Sequence, residues 1–213
     1  MKNILIHGLG QTEASWSKVE NELNNSKIQV EKPNLFDLTK NYHTNYENLY
    51  KVFADYCNRF KDNELNLCGI SLGGILAIDY ANEYPQKVKS LVLIGVPSKV
   101  PKILFKVQNI IFKIMPKSVF EEMGCSKKDF TNLVNSMASM DILSKIKNIK
   151  CKTLIIYGEK DKVNLQSAKD LHNNIFNSEI KIIENSSHEV NIDNPKELSN
   201  VIERFYKNIW NNN

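Results

Sequence analysis

Short apolar runs and helical stripes alternate along this chain. Runs rich in Ile, Leu and Val occupy residues 3–6, 28–32, 64–68, 88–94, 153–157 and 179–183. In "ILI", "LVLI" and "TLIIY" the apolar residues are nearly continuous, the pattern of strands buried on both faces of a parallel sheet. Between them, apolar residues recur with helical spacing over 15–25, 45–60, 72–84, 165–174 and 195–210. The last stretch is the sharpest, with Leu198, Val201, Ile202, Phe205 and Ile209 on one face. Asn194 is placed to cap it, Pro195 suits the first helical position, and Glu197 is spaced to close a capping box. This alternation predicts an α/β domain with crossover helices on both sides of the sheet.

One segment breaks the rhythm, because no strand pattern occurs between residues 98 and 148. "KILFKVQNIIFKIMPKSVF" places Ile103, Leu104, Val107, Ile110, Ile111 and Ile114 on a broad apolar face, interrupted by Lys102, Lys106 and Lys113. "CSKKDFTNLVNSMASMDILSKI" reads as two more short helices. A helical insertion at this point is expected to form a cap or lid over the site. The expected division is a core of residues 1–97 and 149–213 with an inserted cap of 98–148. The apolar face can equally pack on the core, or lie on a lipid surface as a basic amphipathic helix. Three lysines make a thin charged face, so no stable membrane association is expected.

Composition narrows the class. A chain of 213 residues is long enough for one domain with a sizeable core. Hydrophobic residues make up 42% and charged residues 24%, as in soluble globular proteins. The net charge of +4 is spread without a dense basic block, so nucleic acid is not an expected partner. No stretch approaches the roughly 20 apolar residues of a membrane span, and "KNILIHG" lacks the features of a secretory leader. Cys57, Cys68, Cys125 and Cys151 are far apart and form no CxxC pair. Neither a metal site nor a redox motif is therefore expected, and a reduced, cytoplasmic chain is the simplest reading.

The candidate chemistry begins at "LCGISLGG", residues 67–74. A strand-like run precedes it and a helix-like run follows, the setting in which GxSxG forms a nucleophile elbow. Ser71 would then sit on a strained turn, with Gly69 and Gly73 letting the flanking backbones approach and Gly74 letting the helix lie close to the sheet. The alternative is a glycine-rich bend with an idle serine. "HGLGQTEASW" starts at His7 directly after the first strand. Its backbone can face the nucleophile, and an oxyanion hole needs two amide donors, assigned to Leu9 and Leu72.

A serine hydroxyl needs a histidine to take its proton and a carboxylate to orient that histidine. Of four histidines, His7 belongs to the loop just described, His43 sits in a polar loop, and His172 falls on a helical pattern as a surface residue. His188 lies directly after the last strand and is the candidate base. Asp161 follows "TLIIYG" and is the candidate acid, with Glu159 as the second choice. Ser71, Asp161 and His188 each follow a predicted parallel strand, on the sheet edge where open α/β sheets gather their sites.

Taken together, these residues resemble the α/β-hydrolase family over nearly the whole chain. "HGLG…W" is similar to its oxyanion loop, "GISLGG" to its elbow, "YGEKD" to its acid loop and "SSHEVNIDNP" to its histidine loop. The resemblance implies a three-layer sandwich and serine hydrolase activity, most often on esters, with no cofactor. The family usually has two further strands before the HG strand. A reduced six-stranded parallel sheet of order 2-1-3-4-5-6 with a small helical cap is therefore expected. Ser187 replaces the glycine that often precedes the family's histidine. A serine nucleophile argues against the family's haloalkane dehalogenases and epoxide hydrolases, which use aspartate.

The leading expectation is a carboxylesterase-like serine hydrolase. Its partner would be a small, apolar substrate with an acyl carbonyl, as a carboxylic ester or thioester. Amide or carbon–carbon cleavage uses the same triad. A small-molecule-binding protein on the hydrolase scaffold and a lipase recruited by its lid are the competing classes.

Overall fold

In the computed structural model, which describes residues 1–61, 64–99, 116–138 and 140–211, six strands form one sheet. β1 (Lys2–Ile6), β2 (Val30–Glu31), β3 (Leu65–Ile70), β4 (Val88–Ile94), β5 (Lys152–Gly158) and β6 (Ser178–Ile183) stand in the order β2-β1-β3-β4-β5-β6. Every neighbouring pair is parallel, as expected. The helices among the described residues are α1 (Ser17–Asn25), α2 (Leu35–Leu38), α3 (Tyr46–Asn58), α4 (Leu72–Glu83), α5 (Lys117–Glu122), α6 (Lys127–Ser136), α7 (Ile142–Ile146), α8 (Lys162–Asn174), α9 (Val190–Asp193) and α10 (Pro195–Trp210).

The continuous apolar runs have a direct physical cause. Ile4, Ile6, Leu67, Leu91, Leu93 and Ile155 face one buried layer, packed with side chains of α3, α4 and α8. Leu5, Cys68, Ile70, Val92, Ile94, Leu154 and Ile156 face the other, packed with α1 and α10. Strand side chains alternate between faces, so a sheet covered on both sides is apolar at most positions, and buried exceptions such as Asn3, Asn66 and Ser90 hydrogen-bond to one another. Phe120, Phe130, Leu133, Ile142 and Ile146, from α5, α6 and α7, join the first layer. The amphipathic face expected over Ile103, Leu104, Val107, Ile110, Ile111 and Ile114 lies outside the described residues.

Local differences from the sequence expectation have local causes. The second strand shrinks from 28–32 to Val30–Glu31. Ile28 donates its N–H to Leu23 O at 2.9 Å to close α1, with Lys27 at φ 61°, so it is committed to the helix end. α8 starts at Lys162 rather than 165, because Asp161 caps it by accepting Asn164 N–H at 3.3 Å. α10 spans 195–210 as read, and Asn194 Oδ1 accepts Glu197 N–H at 3.3 Å. The capping box does not close, because Asn194 N–H already donates to Val190 O at 3.1 Å and the Glu197 carboxylate turns to Arg204 at 3.2 Å. α2 and α9 have four residues each, too few to show a period.

Candidate active site

Ser71 follows β3 and opens α4 with φ 52° and ψ −114°, a conformation that costs a non-glycine residue about 1–3 kcal/mol. Its backbone is pinned on both sides. Ser71 N–H donates to Ile94 O at 2.8 Å, and Ser71 O accepts Gly74 N–H at 3.0 Å and Ile75 N–H at 3.1 Å. Strand and helix cross so closely that a Cβ on Gly73 would lie 2.2 Å from Ile6 O. Glycine is thus the residue that permits the crossing. Ser71 is partly exposed, and no hydrogen bond engages its Oγ among the described residues.

The loop after β1 packs against this elbow. A Cβ on Gly8 would sit 3.5 Å from Ser71 Cβ. His7 is fully buried, with Nε2 3.0 Å from Leu35 N and Nδ1 2.9 Å from Gly8 O. A backbone N–H only donates and a carbonyl only accepts, so Nε2 is the acceptor, Nδ1 carries the proton, and the ring is neutral. Burial lowers the His7 pKa and outweighs the raising influence of the Gly8 carbonyl and Glu13. Gly8 O also accepts Gln11 N–H at 3.2 Å. The Leu9 N–H shares a planar trans peptide with that carbonyl and points the opposite way, so two donors on Gly8 O fix its direction. Neither Leu9 N–H nor Leu72 N–H has an acceptor among the described residues.

Asp161 lies beyond the end of β5 in a turn closed by its N–H to Gly158 O at 2.9 Å. Its Oδ2 is 2.9 Å from His188 Nδ1, and its side chain is 5% exposed. Burial raises the Asp161 pKa, but hydrogen bonds from His188 and Asn164 and the nearby imidazole charge overcome it, and the net shift is downward. An ionised carboxylate only accepts, so His188 Nδ1 carries a proton, and Nε2 is the ring nitrogen on the side away from Asp161. Asn164 Nδ2 donates to Asp161 Oδ1 at 3.1 Å and Oδ2 at 2.8 Å. It also stands 3.1 Å from His188 Nδ1, but with both groups donors its partner there is the carboxylate.

Gly95, the residue after β4, joins this pair to the elbow. Ile94 accepts the Ser71 N–H, and a Cβ on Gly95 would lie 2.9 Å from His188 Nδ1 and Cε1. Ser71, His188 and Asp161 therefore stand over the ends of β3, β4 and β5. Ser187 fills the position before His188 without positive φ, and its N–H and Oγ donate to Asp193 Oδ2 at 2.6 and 2.5 Å. Glu159 is exposed and accepts Asn185 N–H at 2.9 Å, serving the turn after β6 rather than His188. His43 is exposed, and His172 pairs with Ser178 Oγ at 2.9 Å.

Three positions escaped the sequence reading. Asn164 was legible as the third residue after a capping Asp, and Gly95 as a glycine ending "LVLI". Gln11, in the loop after β1, carries no such signal. A cavity of about 1180 Å³ opens between residues 36–44 and the helices α5 and α6, lined by Phe36, Tyr42 and Lys128 among others, but not by Ser71 or His188. Among the described residues no three His, Cys, Asp or Glu side chains converge as metal ligands. No helix there is long and apolar enough to cross a membrane.

Comparison with known proteins agrees with this architecture. Residues 4–119 match the family model described as alpha/beta hydrolase fold. The chain is 23% identical to the monoacylglycerol lipase ABHD6 of Mus musculus, over 73% of this chain and 58% of that protein. It is 24% identical to the proline iminopeptidase of Saccharolobus solfataricus, over 72% of this chain and 66% of that protein. It thus spans about three fifths to two thirds of the length of these curated relatives. A solved carboxylesterase of the thaumarchaeon Nitrososphaera gargenis matches 100% of this chain and 92% of its own, with TM-score 0.84 and 17% identity. A family model matched over more than half of the residues, and a parallel sheet in the family's order, make this chain a member of the α/β-hydrolase family.

Proposed function

We propose that this protein is a serine hydrolase that cleaves the acyl bond of a small, apolar ester or thioester. The observations that support the reading are the strained Ser71 turn, whose N–H is held by Ile94 O, and the Asp161–His188 pair at 2.9 Å, whose imidazole packs against Gly95, the next residue.

The chemistry runs through these groups. Ser71 Oγ attacks the acyl carbonyl carbon while His188 Nε2 takes the hydroxyl proton. Asp161, held ionised by its hydrogen bonds, keeps the His188 proton on Nδ1 and stabilises the imidazolium that forms. The oxyanion of the tetrahedral intermediate is received by the Leu9 and Leu72 amides, the second aided by the N-terminal end of the α4 dipole. His188 then returns its proton to the leaving alcohol or thiol, and water, deprotonated by the same nitrogen, releases the acid. Residues 98–148 are assigned as the cap from their place in the sequence, and the apolar residues of that stretch favour an acyl or aromatic substrate. Four free cysteines support a reducing, cytoplasmic setting.

A fluorophosphonate probe tests the reading. Wild type is expected to be labelled and to hydrolyse short p-nitrophenyl esters, and Ser71→Ala to do neither. An unlabelled wild type, or equal labelling of Ser71→Ala, removes Ser71 as the nucleophile. Ligand-induced thermal shifts without Ser71-dependent turnover would identify a binding protein instead.

A further inference from the structure

A buried pair of amides joins the loop that carries Leu9 to the loop that carries His188. Gln11 is 7% exposed and Asn191 is 0% exposed, although they lie 180 positions apart in the chain. Gln11 Nε2 donates to Asn191 Oδ1 at 3.3 Å, and Asn191 Nδ2 donates back to Gln11 Oε1 at 3.3 Å. Each amide then reaches further into the other loop. Gln11 Nε2 donates to Glu189 Oε1 at 2.9 Å, one residue after His188. Asn191 Nδ2 donates to Ser15 O at 3.2 Å, in the turn that follows the oxyanion loop.

The same glutamine holds the peptide units around Gly8. Its Oε1 accepts Gly8 N–H at 3.4 Å, and its own N–H donates to Gly8 O at 3.2 Å. Gly8 O is the other end of the peptide unit whose N–H belongs to Leu9. A polar pair buried between two loops is costly unless every group is satisfied, and packing alone would be met by apolar side chains. What the amides add is a fixed separation and orientation.

We propose that Gln11 and Asn191 are positioning residues that set the oxyanion amide of Leu9 and the imidazole of His188 in one geometry. The Leu9 N–H is aimed through Gly8, and the His188 loop is aligned to it through Glu189 and Asn191. The oxyanion donor and the base then serve the same addition step, one at the carbonyl oxygen and the other at the Ser71 hydroxyl. The inference rests on reading Ser71 as the nucleophile.

Gln11→Ala, Asn191→Ala and the double variant, assayed on a p-nitrophenyl ester beside wild type and Ser71→Ala, test it. Each single variant is expected to lower kcat on the order of tenfold to a hundredfold, the usual consequence of misplacing a catalytic group slightly, with little change in KM. The double variant is expected to lose no more than the worse single variant, because the pair acts as one unit. Affinity for a trifluoromethyl ketone, which adds to the serine and forms an oxyanion, should fall in step with kcat/KM. Affinity for the product acid should not. Unchanged kcat in the single variants, or a double loss equal to the product of the single losses, would overturn the proposal. Turnover by wild type that does not depend on Ser71 would instead overturn the reading beneath it. Thermal melting reports folding. If Gln11→Ala does not fold, Gln11→Glu is read the same way, since it keeps an acceptor for Gly8 N–H and removes the donors to Asn191 and Glu189.

Discussion

Asp161 Oδ2 and His188 Nδ1 lie 2.9 Å apart on loops that leave the neighbouring strands β5 and β6. The carboxylate side chain is 5% exposed and the imidazole side chain 42% exposed, so the ring is held from its buried side and open on the other. Asn at position 161 would keep the size and lose the charge. Its NH2 group can face Nδ1, which moves the imidazole proton to Nε2 and leaves no base toward Ser71. Asp161→Asn is expected to fold and to lower kcat by about 10³–10⁴-fold, with KM little changed. Ester kinetics check this, and wild-type kcat in the variant would remove Asp161 from the mechanism.

The same carboxylate leaves a pH signature in stability. Burial raises its pKa, yet the His188 and Asn164 hydrogen bonds win, so its folded value lies below its ordinary 3.8. A carboxyl depressed in the folded state contributes stability above its unfolded pKa and loses that contribution as pH falls through the folded one. Denaturant melts from about pH 6 down to about pH 2 should therefore show wild type losing more stability than Asp161→Asn. Carboxylates common to both cancel in the difference. Parallel curves would show that Asp161 is not held in its charged form by the fold.

Ser71 opposes stability to activity. At φ 52° a Cβ is strained and glycine is not. Ser71→Ala removes the hydroxyl and keeps the strain, whereas Ser71→Gly removes both. Both variants are expected to be inactive, with Ser71→Gly more stable than Ser71→Ala by about 1 kcal/mol in denaturant unfolding. Equal stabilities would mean that the turn is not strained in solution.

The strand positions were legible because a sheet covered on both faces shows as nearly continuous apolar runs, the helices because their apolar residues recur with helical spacing, and the strand order only through the family resemblance. The elbow was legible because the turn from β3 into α4 leaves no room for a Cβ at Gly69, and the approach of α4 to the end of β1 leaves none at Gly73. Other features had no local signature. β2 lost residues because Ile28 was drawn into the end of α1, a competition between two elements that neither run reveals. Asn191 reads as an ordinary polar loop residue, and the cap spacing that marks Asn164 says nothing of its side chain. Their partners, Asp161 with His188 in one case and Gln11 in the other, are joined only by the fold.

Gly95 tests how closely the histidine loop is fitted to the sheet. Its φ is 55°, and a Cβ there would meet His188 Nδ1 and Cε1 at 2.9 Å. Gly95→Ala therefore strains the backbone by about 1–2 kcal/mol and displaces the imidazole from its present position. It is expected to lower the melting temperature and to lower kcat, while Gly124→Ala, at φ 75° with open space around it, lowers the melting temperature only. Loss of activity in both variants alike would attribute the effect to stability.

Lys145 of α7 fastens the 117–146 helices to the elbow helix. Its Nζ lies 2.8 Å from both Asp79 oxygens, and Tyr46 OH donates to Asp79 Oδ2 at 2.7 Å. Asp79 is 13% exposed and Lys145 33%, so solvent screens the pair on one side only. Lys145→Met leaves a largely buried carboxylate with Tyr46 as its remaining charge-assisted donor. The expected cost is about 1–3 kcal/mol, the penalty of an under-satisfied buried group, and Asp79→Asn in the same chain should recover part of it. The location of the loss tells what the clasp does. If these helices form a cap that opens as a unit, amide exchange in α6 and α7 should quicken while β3, β4 and β5 keep their protection. If exchange quickens evenly through the sheet, the helices are part of the core, as the burial of Phe120, Leu133 and Ile146 in its first layer would allow.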